Sequence, residues 1–379
     1  MTNNNFEKTQ KFPIFNGGFS FSNYSCDILV DSYYNRYGKN LKNINIRNDD
    51  QRTIDFIFKE SLYNKNNISM DHNILVQFMS IEPNNIEALH KFFTDNGFIF
   101  NGSFDEYTRY KHEVLDIIIK RVSCLVQLIM ELQKETKNFK ILFQNTMYLL
   151  LTKPFQIFNN NKELVYESIH YPIYSILGGY REPIFFKNPN RIEEYSDAEI
   201  DFIDSPRNTS DIFKLNVASN YLLNENITGI DKLQLKFLYK ILTYPYFFKI
   251  KYTNNIIEFE SEEKLENTLK ADKELQSMLI QITKHIIKSE LEHNIKNIKP
   301  SYDIDSLLGS WKIPDLLSAI YFSIFFLNPK FDIIKKCSNP TCSSYFSVLH
   351  SNKKKKYCSQ RCANAVNQRN LRLKKKKDQ

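Results

Sequence analysis

The sequence predicts a mainly α fold with minor β structure, an α+β body, followed by a small C-terminal unit organised by cysteines rather than by a large core. Three observations carry this expectation. Apolar residues at helical spacing form long stripes near residues 104–134 and 261–286. Strand-like runs are short and scattered. Four of the six cysteines lie in the last 43 residues.

Taken in order, residues 1 to about 60 read as irregular, with two short strand-like runs, Ile14 to Phe21 and Thr53 to Phe58. Pro83 to Asn96 reads as a helix stopped by Gly97. A long helix is predicted from Phe104 to Lys134, because Ser103 and Glu106 have capping-box spacing. Its stripe is Leu115, Ile118, Val122, Leu125, Ile129 and Leu132. Cys124 beside that stripe, and Cys26 with no local partner, read as buried inert thiols. Phe139 to Leu151 fits strand or helix, and Asn159 to Lys162 marks a loop. Residues 181–210, rich in Pro, Asn, Asp and Glu, read as a surface loop or a hinge between subdomains. Ile230 to Leu242 reads as a helix, and Phe247 to Tyr252 with Ile256 to Glu260 as a hairpin. A second long helix starts at Ser261, with Leu265, Leu269, Met278, Leu279, Ile282 and Ile286 facing inward. Ser306 to Leu327 supplies the last core helices around Trp311 and Pro314. The expected division is a mainly helical domain over residues 1–328, with a subdivision near 181–210, and a small domain over 329–379. A chain ending at Asn328 is expected to fold without the rest.

Composition excludes several classes. With 42% hydrophobic and 25% charged residues, the chain is neither collagen-like nor wholly disordered. Nine glycines argue against a glycine-built dinucleotide fold. The N-terminus, Met-Thr-Asn-Asn-Asn-Phe-Glu-Lys, has no basic segment followed by an apolar run. The most apolar stretch, Leu316 to Leu327, falls short of the about 20 residues a membrane span needs. A cytoplasmic chain with no membrane partner is expected. Charge is uneven: the net is +8, yet from Lys335 onward thirteen basic residues face one acidic residue, Asp378. An acidic body thus carries a strongly basic tail, which points to nucleic acid or another anionic partner.

Cys337 and Cys342 are separated by four residues, Cys358 and Cys362 by three, and fifteen lie between the pairs. A tetrahedral zinc ion takes four thiolates from two such short loops. Asn339-Pro340 supplies a turn around a metal. Tyr345 to Val348 is expected to pair with Lys356-Tyr357 across the loop His350 to Lys355. Cys358 and Cys362, at i and i+4, share a face of the first turn of a helix running through Leu373. Knuckle, hairpin and helix together predict a treble-clef-like zinc finger with four cysteine ligands. Four protein ligands leave no open position, so one structural zinc ion per chain is expected. His350, mid-loop with four cysteines already available, reads as a non-ligand.

This tail resembles the CGNR-type zinc finger of bacterial transcription regulators. The resemblance rests on Cys337-x-Asn339-Pro340-x-Cys342, Phe346, the basic run 353–356, Tyr357 before Cys358, Ser359, and Cys362 opening a basic helix. The tetrad that names the family reads Cys362-Ala363-Asn364-Ala365 here, so its Gly and Arg are both Ala. Arg361 and Arg369 are candidate substitutes. Family members often carry a helical N-terminal domain, ABATE, regarded as a sensor or regulatory module. Tyr34-Asn35-Arg36-Tyr37-Gly38 resembles a segment near its start. The resemblance implies DNA binding and transcription regulation, with a small-molecule effector of unknown chemistry acting on residues 1–328.

The residues support nucleic-acid binding independently. Lys353, Lys354, Lys355 and Lys356, with Lys374, Lys375, Lys376 and Lys377, suit phosphates, which position without specifying. Arg361, Asn364, Gln368, Arg369 and Arg372 are the side-chain types that read base edges in a major groove. Arg369 is expected to be the principal reader, with Arg361 and Gln368 as helpers. Double-stranded DNA is the expected partner, and a homodimer would add avidity to one small finger per chain. The alternative is an RNA- or ribosome-associated zinc protein in which Tyr345, Phe346 and Tyr357 stack on bases. No G-x-S-x-G, H-E-x-x-H or P-loop motif appears, so no catalytic residue and no enzymatic activity is expected. Gly178-Gly179 beside Arg181 reads as a turn. The acidic stretch Glu193, Glu194, Asp197, Glu199, Asp201 and Asp204 reads as a solvated loop that could shield the basic tail.

Overall fold

The computed structural model describes residues 19–34, 40–58, 73–152, 155–159, 162–166, 228–242, 251–253, 256–258, 262–304, 308–327, 332–349, 352 and 354–377. The acidic stretch, the Gly178-Gly179 turn, the 181–210 segment, His350 and Lys353 lie outside these residues. Helices and small antiparallel sheets are mixed through the fold. No helix among the described residues is long and apolar enough to cross a membrane.

Residues 19–34 and 40–58 form longer strands than their sequence pattern predicts. Strand β1 (Phe19–Tyr34) pairs antiparallel along its whole length with β2 (Asn40–Phe58), with a register shift after Tyr24. Asn23, Asn43, Asn45 and Asn48 are buried beside Ile44 and Ile46, which masks the usual apolar alternation. Their amides bond into neighbouring segments. Asn23 Nδ2 donates to the carbonyls of Asn96 at 3.1 Å and Phe98 at 3.0 Å. Helix α1 (Ile74–Met79) precedes α2 (Ile86–Asn96), and Asn73 and Asn85 cap them. Gly97 ends α2 at φ 74°, where an added Cβ would sit 2.3 Å from the Tyr24 carbonyl. Only glycine permits that close approach.

The helix expected from Phe104 begins later. Ser103 Oγ does accept from the N–H groups of Asp105 and Glu106, but only as a turn. Strand β3 (Thr108–Lys111) then pairs with Asn43 to Ile46 of β2, and α3 (His112–Leu132) follows directly. Phe139–Leu151 is a helix, α4, capped by Asn138. A hairpin, β4 (Phe155–Asn159) and β5 (Lys162–Tyr166), follows. Helix α5 (Gly229–Leu242) matches its expected place, and the short hairpin β6 (Lys251–Thr253) and β7 (Ile256–Glu258) falls within the expected one, of which residues 247–250 and 259–260 lie outside the described residues. The second long helix is broken. Asp272 closes α6 (Glu262–Ala271) and caps α7 (Lys273–Ile295), accepting from Leu275 N at 2.9 Å. Where further helix was expected around Trp311, β8 (Lys299–Asp303) pairs with β9 (Leu308–Lys312), and α8 (Leu316–Phe325) is the buried apolar helix.

Among the described residues, two clusters form the core of the body and share α3. One packs the sheet, α1, α2 and α8 against Leu115, Ile118, Val122 and Leu125. The other packs α4 to α7 against Cys124 and Leu128. Arg121 of α3 and Glu290 of α7, at 1% and 2% exposure, form a buried ion pair between these helices. Burial pushes the Glu290 carboxyl up and the Arg121 charge pulls it down.

The last hairpin, β10 (Asp332–Lys336) and β11 (Tyr345–Leu349), joins this core to the cysteine segment. Alternation gives it two working faces. Ile334 and Tyr345 pack into the first core cluster, while Ile333, Phe346 and Val348 pack with the cysteines. Gln127 Nε2 donates to Tyr345 Oη at 2.8 Å, and Tyr345 N donates to Ser80 Oγ at 2.8 Å. A chain ending at Asn328 would lose this face. Ile334→Ala should cost about 2 kcal/mol, the low end for a buried Ile because the site is at the core edge. Urea unfolding checks it, and an unchanged midpoint would mean that the hairpin does not stabilise the body.

Candidate metal centre and nucleic-acid interface

The first cysteine pair sits in the turn of the β10–β11 hairpin. Asn339-Pro340 shapes that turn as its residue types predict. Asn339 Oδ1 accepts from Thr341 N at 3.4 Å and Thr341 Oγ1 at 3.1 Å. Cys342 N donates to Asn339 O, and Cys337 N to Ser344 O, both at 2.9 Å. The pairing partner of β11 differs from the expectation: it is β10, not Lys356-Tyr357. Lys356 instead accepts at its carbonyl from Ser338 N at 2.9 Å, which brings Cys358 back over the knuckle.

The second pair straddles the start of a helix, α9 (Gln360–Lys377). Cys358 precedes the helix and Cys362 lies in its first turn. Ser359 sits at the cap: its Oγ accepts from Cys362 N at 3.3 Å. These local devices converge the four sulfurs to within 4.8 Å of one another. Cys342 and Cys358 are 3.7 Å apart, and Cys358 and Cys362 3.6 Å. A tetrahedral ion with Zn–S bonds of about 2.3 Å has sulfur–sulfur edges of about 3.8 Å. Disulfide sulfurs lie at about 2 Å. The donor set therefore fits a single zinc ion, held by Cys337, Cys342, Cys358 and Cys362. When bound, the ion supplies a fixed tetrahedral cross-link.

The thiols differ in how readily they ionise. Hydrogen bonding from Asn339, then Ser359, pulls the Cys362 thiol down to about 6. Burial, then its sulfur neighbours, pushes the Cys358 thiol up to about 12. Cys358 N also donates to Cys337 Sγ at 3.5 Å, an interaction that favours negative sulfur. Among the described residues, the buried apolar core around the site is Cys337, Phe346 and Val348. So small a core needs the cross-link to hold its shape.

Helix α9 presents two faces. Cys362, Ala363, Val366 and Arg369 are half-buried. Arg361, Asn364, Ala365, Gln368 and Arg372 are exposed. Asn364 Oδ1 accepts from Gln360 Nε2 at 3.0 Å. Arg369 thus lies along the ligand's own face, while the other candidate readers point away from it. The two alanines of the tetrad differ in place: Ala363 is half-buried and Ala365 is exposed. Lys354 and Lys356 are exposed. The Lys355 ammonium lies 5.5 Å over the Phe346 ring. Lys374 to Lys377 continue the helix to its end.

The finger's aromatic residues are committed inward. Phe346 is buried and Tyr357 packs on the same small core. Tyr345 packs against the body, where burial pushes its phenol up to about 12. One contributor that the sequence pattern did not expose is Lys335, whose Nζ donates to Lys355 O at 3.4 Å. Its position on β10 became readable only once the hairpin partner was known.

No curated protein and no solved structure matches this chain. A family model does match, over residues 334–375, and the N-terminal segment that resembles ABATE lies outside it. The segment that holds the four cysteines and the basic helix therefore matches the CGNR zinc finger family.

Proposed function

We propose that the protein is a zinc-dependent DNA-binding protein, a cytoplasmic transcription regulator whose residues 1–328 form a sensor or regulatory body. Knuckle, hairpin and capped helix form a treble-clef-like finger around one structural zinc. The body acts on the finger through the β10–β11 hairpin and takes a small-molecule effector. The observation that carries the reading is the helix that follows Cys362. Zinc fixes its first turn, and its outer face displays Arg361, Asn364, Gln368 and Arg372. These side chains suit base edges, and the lysines on either side suit phosphates. The inward setting of Phe346 and Tyr357 favours a duplex over a stacked single strand.

The test compares binding of the zinc-loaded protein to duplex DNA, single-stranded RNA and ribosomes at one salt concentration. Duplex DNA is expected to bind tightest, with selection from a random pool converging on one site. Preference for RNA or ribosomes would replace this reading with the RNA-associated one.

A further inference from the structure

We propose that Tyr345 is a latch that couples the metal state of the finger to the body, with Ser80 and Gln127 as its body-side partners. This rests on the reading above, in which the body and a zinc-loaded finger act on each other through the β10–β11 hairpin, and it names the residues that carry the coupling.

The peptide group between Ser344 and Tyr345 is bonded on both sides. Its carbonyl accepts from the backbone N–H of the metal ligand Cys337 at 2.9 Å. Its N–H donates to Ser80 Oγ, at the end of α1, at 2.8 Å. Ser80 Oγ donates its own hydrogen to Val76 O at 2.7 Å, which turns a lone pair toward Tyr345. A single peptide group therefore joins the backbone of a sulfur ligand to the body.

The Tyr345 side chain carries the link deeper. Its phenol accepts from Gln127 Nε2 at 2.8 Å, and Ser123 also hydrogen-bonds it. Gln127 Oε1 accepts in turn from Asn145 Nδ2 of α4 at 3.3 Å. Asn145 is buried, so freeing its amide from a partner is costly. The Tyr345 ring packs on the first core cluster, and the apolar residues of α4 belong to the second. The latch thus reaches both.

The element that changes with the metal is β11. Side chains alternate along it, so Tyr345 faces the body while Phe346 faces the cysteines. The finger side of the strand rests on a small core that depends on the zinc cross-link. When zinc leaves, the Ser344–Tyr345 peptide loses its fixed anchor at Cys337, and the hold of Tyr345 on Ser80 and Gln127 loosens. Linkage is reciprocal: a change in the body that moves Ser80 or Gln127 alters zinc affinity by the same factor.

The test is amide hydrogen exchange of the full-length protein, first zinc-loaded and then after a chelator has removed the metal. In wild type, removal should raise exchange in the α3 and α4 segments around Gln127 and Asn145 about fivefold, the effect of one lost hydrogen bond. Tyr345→Phe keeps the ring and removes the hydroxyl. It should still bind one zinc per chain, and removing that zinc should leave exchange in the same segments unchanged. A hydroxyl that only stabilises the fold would raise exchange in both metal states and leave the zinc-dependent difference as in wild type. If Tyr345→Phe does not fold, Gln127→Leu removes both amide bonds from the body side and carries the same expectation. No zinc-dependent change in these wild-type segments, or the full wild-type change in the variant, overturns the proposal. Neither result touches the DNA reading, because no nucleic acid enters the measurement. A wild-type protein that binds no zinc overturns the proposal and the zinc reading together.

Discussion

Cys358→Ser should abolish zinc binding and unfold the finger, the largest single effect expected in this chain. A serine hydroxyl does not ionise to match a thiolate, and three sulfurs cannot close the tetrahedron. Structural zinc in small fingers is worth about 10–16 kcal/mol near neutral pH, and here the buried core beside it is Cys337, Phe346 and Val348. The wild-type protein should hold one zinc per chain and the variant none. Equal zinc in both would refute the ligand assignment. The effect should also reach the body. With the finger unfolded, Ile333, Phe346 and Val348 lose their partners, and the hairpin holds only through its other face. The variant's body should therefore melt earlier than wild type, by an amount comparable to Ile334→Ala. A body transition that does not move would show that the hairpin stays docked without its metal.

The metal site was legible because ligation depends on local spacing. Two short cysteine loops, a turn-forming Asn339-Pro340 and Ser359 before Cys362 act over a few residues each. The strand pairing beside it was less legible. Tyr345 to Val348 is expected to pair forward with Lys356-Tyr357, yet it pairs back with Ile333 to Lys336, because that segment has two faces to bury, one on the body and one on the finger. The same limit applies in the body. Thr108 to Lys111 continues a helical pattern, yet β2 offers it a strand partner. The inward asparagines of β1 and β2 hid a long sheet, because their burial depends on distant carbonyls such as those of Asn96 and Phe98. The second long helix is expected to run unbroken from Ser261, and Asp272 is the cap that divides it.

The tail should divide its work between charge and shape. Replacing Lys374 to Lys377 by Ala should make the salt slope less steep by about 3.6, four contacts at about 0.9 each, and weaken all DNA sequences alike. A uniform loss is expected because phosphates lie along every duplex in the same pattern. The exposed face of α9 should behave differently. Arg361→Ala or Arg372→Ala should each cost about 1–3 kcal/mol on the preferred site and far less on random DNA. Arg369 is the discriminating position. The sequence pattern makes it the principal reader, but it lies half-buried on the face of Cys362 and Val366. A side chain held on that face supports the helix rather than meeting a groove. Arg369→Ala should then weaken preferred and random DNA equally. If Arg369→Ala alone separates the two, the helix meets DNA with its ligand face and the assignment of faces is reversed. If none of the three arginines separates them, α9 does not read bases. The protein would then be a sequence-tolerant binder, and the RNA-associated alternative would lead.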